Sequence, residues 1–260
     1  MVDNYAIRGT AANDGQVLAA LLEAGAEPRG NPRGFHAIAV DARSPRFDGG
    51  IVTRVDSIPF GITLNRLGER FYDEGDEVWP KRYATWGGLI AQQPDQRAFS
   101  IFDSKAWGLF IPCAYPPHKA GSIEELAGQA GLPVDATVRT VENYNRAAAG
   151  GERYQMERLD GKSTSGLELP KSNWALRIDK PPFYAFSLRP GITFTYMGVG
   201  VDERARVVRS SGGVFENLFA AGEIMSGNIL LRGYLAGFGM TIGTVFGRLA
   251  GSEAARAVGA

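Results

Sequence analysis

The feature that most constrains the fold is a glycine-punctuated strand, loop and helix near the C-terminus. Residues 217–223, NLFAAGE, are typical of a buried strand that ends in Gly222-Glu223, and a helix rich in small residues is predicted from Gly237 onward. The first N–H groups and the positive dipole end of that helix would face a space that glycine keeps open. Two interpretations stay open here: a bound anion or electron-rich ring edge, or close packing of the helix on a sheet. The spacing over 237–243, GxGxxxG, differs from the dinucleotide fingerprint.

Composition and charge exclude several classes of protein. Among 260 residues, 28 Lys and Arg balance 28 Asp and Glu, so the chain has no broad attraction for nucleic acid, and we expect no nucleic-acid partner. The single cysteine, Cys113, excludes an intrachain disulfide and a cysteine-based zinc finger. The apolar run 229–247 is interrupted by Arg232 and five glycines, and it is predicted to be a buried segment rather than a membrane span. Because the N-terminus has no signal-type apolar core, we expect a cytoplasmic protein without direct membrane insertion.

Periodicity and turn residues predict an α+β chain. Helices are expected over 14–25 with Asp14 as a cap, from about Pro80, over 122–130 with Ser122 and Glu125 as a capping box, and over 135–150. Strands are expected within 35–65, including IVTR at 51–54, and over 98–103, 183–189, 192–196, 199–202 and 205–209. Residues 150–182 are predicted to be irregular. An α+β unit is therefore predicted over 38–189, between flanks 1–37 and 190–260 of different character.

Several long segments resemble one enzyme family. The AAGE strand end and the helix FGRLAG are similar to the C-terminal flavin-binding segment of the fumarate reductase/succinate dehydrogenase flavoprotein family. Over essentially the whole chain, segments such as PPFYAFSLRPGITFTYMG and GYLAGFGMTIGTVFGRLAG resemble its tricarballylate dehydrogenase branch. A neighbouring branch, a flavoprotein associated with precorrin-3B synthesis, is not separated from it by these residues.

The resemblance implies a specific fold and cofactor. The chain would hold the substrate (capping) domain over 38–189, together with the C-terminal piece of an FAD-binding α/β domain in 1–37 and 190–260. The Rossmann GxGxxG that holds the FAD pyrophosphate is missing from this sequence. We therefore expect a C-terminal part of a longer enzyme, with FAD in the full-length protein and little or no FAD on this chain alone. A binding or structural module without activity is the alternative.

Five residues match cofactor positions of the family. Asp14 stands at a turn whose acid lies at the flavin, although plain helix capping is an equal alternative. Glu223 matches a Glu that binds the ribityl chain, and Thr193 opens the stretch that replaces the family's His-His-Thr-Met-Gly-Gly. Gly239 and Met240 match positions whose N–H groups face the pyrimidine edge, where they stabilise negative charge on the ring.

Four residues stand at catalytic and substrate positions of the family, and three of them match its residues. Arg82 matches the family's active-site arginine, which moves a proton opposite the flavin; without the resemblance it would be interpreted as a solvated helix residue. His36 matches a carboxylate-binding histidine, although a histidine between apolar residues is more often part of a core. Thr53 matches a substrate-binding threonine, and Arg54 replaces the acid that follows it.

Three departures put plain fumarate or succinate chemistry in doubt. Phe194 replaces a histidine that binds a substrate carboxylate, Tyr234 replaces a substrate arginine, and Arg54 replaces the acid after the substrate threonine. The resemblance leaves Arg54 and Arg232, which is two residues from Tyr234, as alternative replacement donors for a substrate carboxylate. A larger polycarboxylate with different donors is therefore expected. The implied reaction converts tricarballylate to cis-aconitate and passes electrons to a membrane-linked acceptor protein.

Overall fold

The sequence AFSIFD, residues 98–103, forms a strand whose six side chains are all buried. The structure is a computed structural model of the chain. It describes residues 4–47, 49 and 52–259, without the side chains of Trp79 and Pro80. The chain divides into two compact units. The larger unit holds the residues up to Gly9 together with Ala37–Gly191, and the smaller unit holds Thr10–His36 together with the chain from Ile192.

Helices and strands are spread over both units. The strands of the described residues are β1 (Ala6–Ile7), β2 (Pro28–Asp41), β3 (Ile62–Asn65), β4 (Ala98–Asp103), β5 (His118–Ala120), β6 (Phe183–Val199), β7 (Arg206–Val208) and β8 (Val214–Phe219). The helices of the same residues are α1 (Gln16–Glu23), α2 (Trp79–Ala91), α3 (Ile123–Ala130), α4 (Val134–Ala147) and α5 (Phe238–Ala257). Strands β2 and β6 each continue along the chain from one unit into the other.

The main sheet is organised around β4 and β6. Strand β4 is antiparallel to β3, with Ile62 opposite Ile101, and antiparallel to β6, with Phe102 opposite Tyr184. Strands β1, β2 and β5 also pair with β6. Helices α3 and α4 pack their buried apolar residues against β3 and β4 in one core of the larger unit. These amphipathic helices therefore pack their apolar faces on the sheet.

Helix α3 begins as the sequence predicts. Ser122 is its N-cap, and its hydroxyl accepts a hydrogen bond from the N–H of Glu125 at 3.2 Å. The Glu125 carboxylate accepts in return from the N–H of Gly121 at 3.0 Å, one residue before the position that a strict capping box uses.

Helix α2 approaches β2 with no side chain between the two backbones. A Cβ on Gly87 would lie 2.3 Å from the carbonyl carbon of Ala37. Trp86 and Ile90, on either side of Gly87 in sequence, are buried in the second core of the larger unit. The glycine thus lets the helix that carries Arg82 lie directly on the sheet.

The smaller unit packs α1 and α5 around a two-stranded sheet of β7 and β8. Its buried core includes Ala26, Val199, Val207, Met225 and Ile242. Helix α5 begins at Phe238 after Gly237, whose φ of 87° lies in the left-handed region that favours glycine. The predicted strand–loop–helix order at the C-terminus is present, although β8 already ends at Phe219 and Gly222–Asn228 is a 3-10 segment.

Three sequence predictions are wrong in detail. The expected break between 189 and 192 is absent, because Pro190 and Gly191 stay in β6, where Gly191 lies against Val40. The run 229–247 is not buried as a whole: only Leu230 and Ile242 are, because residues 231–237 precede the helix and are mostly exposed, and α5 packs only one face on its own unit. No helix in the described part of the chain has the length and apolar character that crossing a membrane needs.

The third wrong prediction concerns the strand IVTR. Residues 52–53 form a turn, and Arg54 makes only an isolated antiparallel bridge with Val40. Two backbone hydrogen bonds, from Asp41 N–H to Thr53 O and from Val55 N–H to Ala39 O, hold this bridge. Ile51 lies outside the described residues.

We predict opposite effects for alanine at two adjacent glycines of α2. Gly87→Ala should lower the free energy of unfolding by about 1–3 kcal/mol, because the new methyl group overpacks the contact with Ala37. Gly88→Ala is the matched control: nothing lies within 4 Å of its Cβ position, so helix propensity should raise stability by about 0.5–1 kcal/mol. Urea denaturation of both variants measures the difference. Equal changes in the two variants would contradict the close packing.

Candidate functional site

Arg82 lies in the first turn of α2 and is buried. The helix begins after Val78, whose backbone is extended, and Pro80 suits the first turn because it needs no hydrogen-bond acceptor there. The Arg82 side chain is 4% exposed, so the solvated alternative is wrong. Its Nη1 donates to the carbonyl oxygen of Glu77 at 3.1 Å, and its guanidinium lies 5.4 Å from the centre of the Trp174 ring.

The surroundings of Arg82 lower the pKa of its guanidinium. Burial lowers the pKa of Arg82 to about 10, and this effect outweighs the nearby carboxylates of Asp56, Asp76 and Glu77, which raise it. An arginine with an ordinary pKa cannot exchange a proton near neutral pH. The burial therefore brings Arg82 closer to the range in which a guanidinium can move a proton.

Arg54 and Asp56 form a buried ion pair beside Arg82. The Nε of Arg54 donates to Oδ2 of Asp56 at 2.8 Å, and the two side chains are 8% and 6% exposed. The Arg54 guanidinium also lies 5.5 Å from the centre of the Tyr83 ring. A buried ion requires a partner, because removing it from water costs far more than a surface ion pair does. Asp56 supplies that partner for Arg54 and acts at longer range on Arg82.

Two cavities meet at Arg82 and Asp56. The first, of about 10 Å³, is also lined by Arg54, Tyr83 and Trp86, and it has room for about one water molecule. The second is an open cleft of about 550 Å³, which falls within the range of small-molecule sites. The structure thus places Arg82 and Arg54 together, as the resemblance implies.

Thr53 presents a buried hydroxyl next to this pair. The residue is 4% exposed, and its Oγ1 has no hydrogen-bond partner within the described ranges. An unsatisfied buried hydroxyl costs free energy that a ligand can recover by bonding to it. Thr53 lines neither of the two cavities, and its role as a substrate-binding residue stays a prediction.

Lys171 holds the turn that borders the small cavity. Its Nζ donates to the carbonyl oxygens of Pro59 and Gly61, both at 2.7 Å, and Tyr154 Oη donates to the carbonyl between them, that of Phe60, at 2.5 Å. Burial lowers the pKa of Lys171 to about 7. A neutral amine has two N–H donors, which matches the two carbonyl acceptors.

In the smaller unit, the first turn of α5 presents backbone donors. The N–H of Gly239 donates to Tyr234 Oη at 2.9 Å, while Met240, whose side chain is 79% exposed, supplies the next N–H of the same turn. The first N–H groups of a helix have no acceptor within it, so they are available to side chains or ligands. The predicted flavin contact at Gly239 therefore coincides with a hydrogen bond to Tyr234.

Aromatic rings surround Tyr234. His36 stacks on it with ring centres 4.1 Å apart and an interplanar angle of 6°, and Phe194 lies 5.6 Å from it. Tyr234 and Phe194 stand where the resemblance expects an arginine and a histidine, so this part of the smaller unit is apolar. Arg232 is exposed and is not part of the aromatic group.

The remaining predicted cofactor residues have modest contacts. Glu223 accepts hydrogen bonds from the N–H of Thr195 at 2.7 Å and from its hydroxyl at 2.9 Å, so it ties β6 to the segment after β8. Asp14 is exposed and accepts from the N–H of Gln16 at 3.2 Å, but Gly15 and not Asp14 is the N-cap of α1. Thr193 lies in β6.

The donor set at the start of α5 fits the electron-rich edge of a flavin ring. Adjacent backbone N–H groups and the positive end of a helix dipole suit such an edge. Nothing lies within 4 Å of the Cβ position of Gly237, whereas that of Gly239 lies 2.7 Å from Tyr234 Oη and 2.9 Å from the Phe194 ring. The space beside these donors is therefore open at Gly237 and closed at Gly239.

Several residues of the site are not predicted from the sequence. Asp56 could have been found, because Arg54 and Asp56 are charged residues two apart in an otherwise apolar extended stretch. Lys171 carries no such signal, since its neighbours in 150–182 are mostly polar and irregular. The apolar wall of the larger cleft comes largely from residues 108–111, GLFI, whose short apolar run does not by itself indicate a site.

Comparison with known proteins identifies a family and several relatives. The family model FAD_binding_2, described as FAD binding domain, matches residues 1–236. A probable fumarate reductase of Shewanella frigidimarina is 32% identical over 75% of this chain and 31% of its own length. A 3-oxosteroid 1-dehydrogenase of Mycobacterium tuberculosis is 29% identical over 74% of this chain and 38% of its own length.

A solved structure supports the fold. The open conformation of a flavocytochrome c3 fumarate reductase matches 98% of this chain with a TM-score of 0.72 and 23% identity, and the match covers 42% of that chain. The chain thus spans less than half the length of the relatives it matches. The mixed α/β fold of this chain matches the corresponding part of the fumarate reductase flavoprotein.

We predict that Lys171 is needed to hold the turn beside Arg82. Lys171→Met should lower the free energy of unfolding by about 1–3 kcal/mol for each carbonyl left without a donor. The stability of the unaltered protein should also rise between pH 7 and pH 9, because the unfolded Lys171 binds a proton that the folded one has lost. Urea denaturation at both pH values measures both effects, with exposed Lys119→Met as the control. A Lys171→Met variant that keeps the full pH dependence would contradict the assignment.

Proposed function

Because the chain belongs to the FAD_binding_2 family of FAD binding domains, we propose that it is part of an oxidoreductase that acts on a C–C single bond next to a carboxylate. The observation that carries this proposal is the buried Arg82, whose pKa is lowered to about 10 and which lies at the junction of two cavities. The named relatives, a probable fumarate reductase and a 3-oxosteroid 1-dehydrogenase, support this reaction type.

FAD, when bound, supplies the two-electron oxidant that receives a hydride. In the proposed reaction the substrate gives up that hydride from one carbon and a proton from the adjacent carbon, and a C=C bond forms between them. Arg82 in its neutral form accepts the proton on its guanidine nitrogen. The carboxylates of Asp56, Asp76 and Glu77 then stabilise the resulting guanidinium.

Substrate carboxylates are held by fixed donors in this proposal. In the larger unit, the hydroxyl of Thr53 and the guanidinium of Arg54 supply them, and the pairing with Asp56 fixes the orientation of Arg54. His36 of the smaller unit stays a predicted carboxylate ligand from the resemblance. Gly239, Met240, Glu223, Thr193 and Asp14 would hold the cofactor.

Tricarballylate is the substrate that the sequence resemblance implies, with cis-aconitate as the product. It is a succinate unit with a carboxymethyl arm, and the replacement of two family carboxylate ligands by Phe194 and Tyr234 supports a substrate other than fumarate or succinate. Electrons would leave to an acceptor protein, which we propose is membrane-linked. A function in precorrin-3B synthesis rests on the same residues.

A second candidate substrate is a cyclic ketone. The aromatic group around Tyr234 favours it, because the stacked His36 and Tyr234 rings and Phe194 form an apolar surface that suits a ring better than a carboxylate. The relative named 3-oxosteroid 1-dehydrogenase acts on such a compound by its name. Dye reduction with a 3-oxosteroid and with tricarballylate, side by side, separates the two candidates.

We predict different kinetic effects for Arg82 and Thr53. Arg82→Lys in the FAD-loaded full-length enzyme should lower kcat by about 10²–10⁴-fold, because a proton-transfer group is displaced. Thr53→Val, which keeps the side-chain shape, should act mainly by raising KM, because it weakens binding of substrate and transition state alike. Tricarballylate-dependent dye reduction measures both, with the exposed Arg66→Lys as control. A normal kcat with only KM raised in Arg82→Lys would show that another group, such as Tyr234 or Arg232, moves the proton.

The oxidation should accelerate with rising pH. Arg82 must be neutral to accept a proton, and with a pKa of about 10 its neutral fraction grows about tenfold per pH unit between pH 7 and pH 9. We therefore expect kcat to rise over this range and to level off near pH 10. Rates with deuterated substrate establish that C–H cleavage is being measured. A kcat that does not change between pH 7 and pH 9, with a full isotope effect, would exclude Arg82 as the base.

A further inference from the structure

An apolar cleft in the larger unit begins at the proposed catalytic residue. Its volume is about 550 Å³, and its walls are formed by the apolar side chains of Phe60, Leu109, Phe110, Ile111 and Met156. Leu109 and Ile111 are 52% and 49% exposed, so much of this apolar surface is in contact with solvent. Contiguous exposed apolar surface with a polar rim commonly marks a binding site.

The charged residues of the cleft are confined to one end. Among the residues that line it, Arg82 and Asp56 are the charged ones, and both also line the small cavity beside Arg54. A molecule whose reacting carbon lies at Arg82 would therefore have polar partners on one side and apolar walls on the other. The cleft is thus continuous with the proposed reaction site.

The chemistry of the walls decides what can lie there. A carboxylate placed against Leu109, Phe110 and Met156 would lose part of its hydration without gaining a cation or hydrogen-bond donors from these side chains. An alkyl or aryl group would instead displace water from apolar surface, which is favourable. The carboxymethyl arm of tricarballylate is a poor occupant of this cleft.

We propose that the substrate is a succinate that carries an alkyl or aryl substituent, and that Leu109 and Ile111 select this substituent. The inference rests on the proposed function, since both require a succinate unit beside Arg82, and it replaces the carboxymethyl arm by an apolar one. The succinate unit loses a hydride to FAD and a proton to Arg82, and the product is the correspondingly substituted fumarate or maleate.

The test compares two substituted succinates, benzylsuccinate and tricarballylate, in the FAD-loaded full-length enzyme. Benzylsuccinate should have a kcat/KM at least about 10-fold above that of tricarballylate, the size of discrimination that small differences in apolar contact provide. Leu109→Ser and Ile111→Ser should each lower this ratio by about 10-fold. Both positions are half exposed, so serine is compatible with folding. Leu67→Ser, at an exposed leucine that does not line the cleft, should leave the ratio unchanged.

A binding measurement separates this inference from the proposed function. Calorimetric titration of the flavin-free protein with benzylsuccinate should show binding that Leu109→Ser and Ile111→Ser weaken and Leu67→Ser does not. Oxidation of tricarballylate in preference to benzylsuccinate would overturn the inference and leave the proposed function intact. Benzylsuccinate binding that depends on Leu109 and Ile111, with no oxidation of either compound, would support the cleft and overturn the proposed function. Absence of such binding would overturn the cleft assignment.

Discussion

The removal of the Arg82 guanidinium from water is the constraint on which the larger unit depends. A buried cation is tolerated only with carboxylates nearby, and Asp56, Asp76 and Glu77 meet that need. Packing and hydrogen bonds hold the backbone near these carboxylates: α2 lies against β2 through Gly87, and Lys171 and Tyr154 donate to the carbonyls of residues 59–61. The proposed chemistry is therefore the local outcome of packing spread over much of the unit.

Local rules predicted those elements whose signals are contained in a few neighbouring residues. The Ser122 cap, the strand over 98–103 and the start of α5 beside Gly237 are all present as expected. Pro190 and Gly191 show the limit of such rules, because the pair predicts a break and the contact with Val40 keeps it within β6. Tertiary contacts decided the outcome there, and they leave no trace in the adjacent sequence.

In the candidate site, too, some features could be predicted from the sequence and others depend on tertiary contacts. The resemblance identified Arg82, Thr53 and Arg54, and the structure places Arg82 and Arg54 at one cavity. The burial of Arg82 was not predictable from its helix, where a charged residue after Pro80 is typical of a solvated first turn. The cleft walls were not predictable either. Residues 108–111 follow no period, and they form a cleft only together with Phe60 and Met156, which lie far away in sequence.

The contact between Gly239 and Tyr234 has a consequence for whatever binds at the start of α5. The Gly239 N–H is already satisfied by the Tyr234 hydroxyl, so a ligand that takes this donor exchanges one hydrogen bond for another and adds none to the total. Replacing the hydroxyl by another neutral acceptor adds little affinity, because the two hydrogen bonds are of similar strength. A negatively charged acceptor forms a hydrogen bond roughly twice as strong as that of a neutral hydroxyl. The tyrosine therefore sets a threshold at this donor: a neutral acceptor gains little by displacing the Tyr234 hydroxyl from the Gly239 N–H, and a negatively charged acceptor gains more.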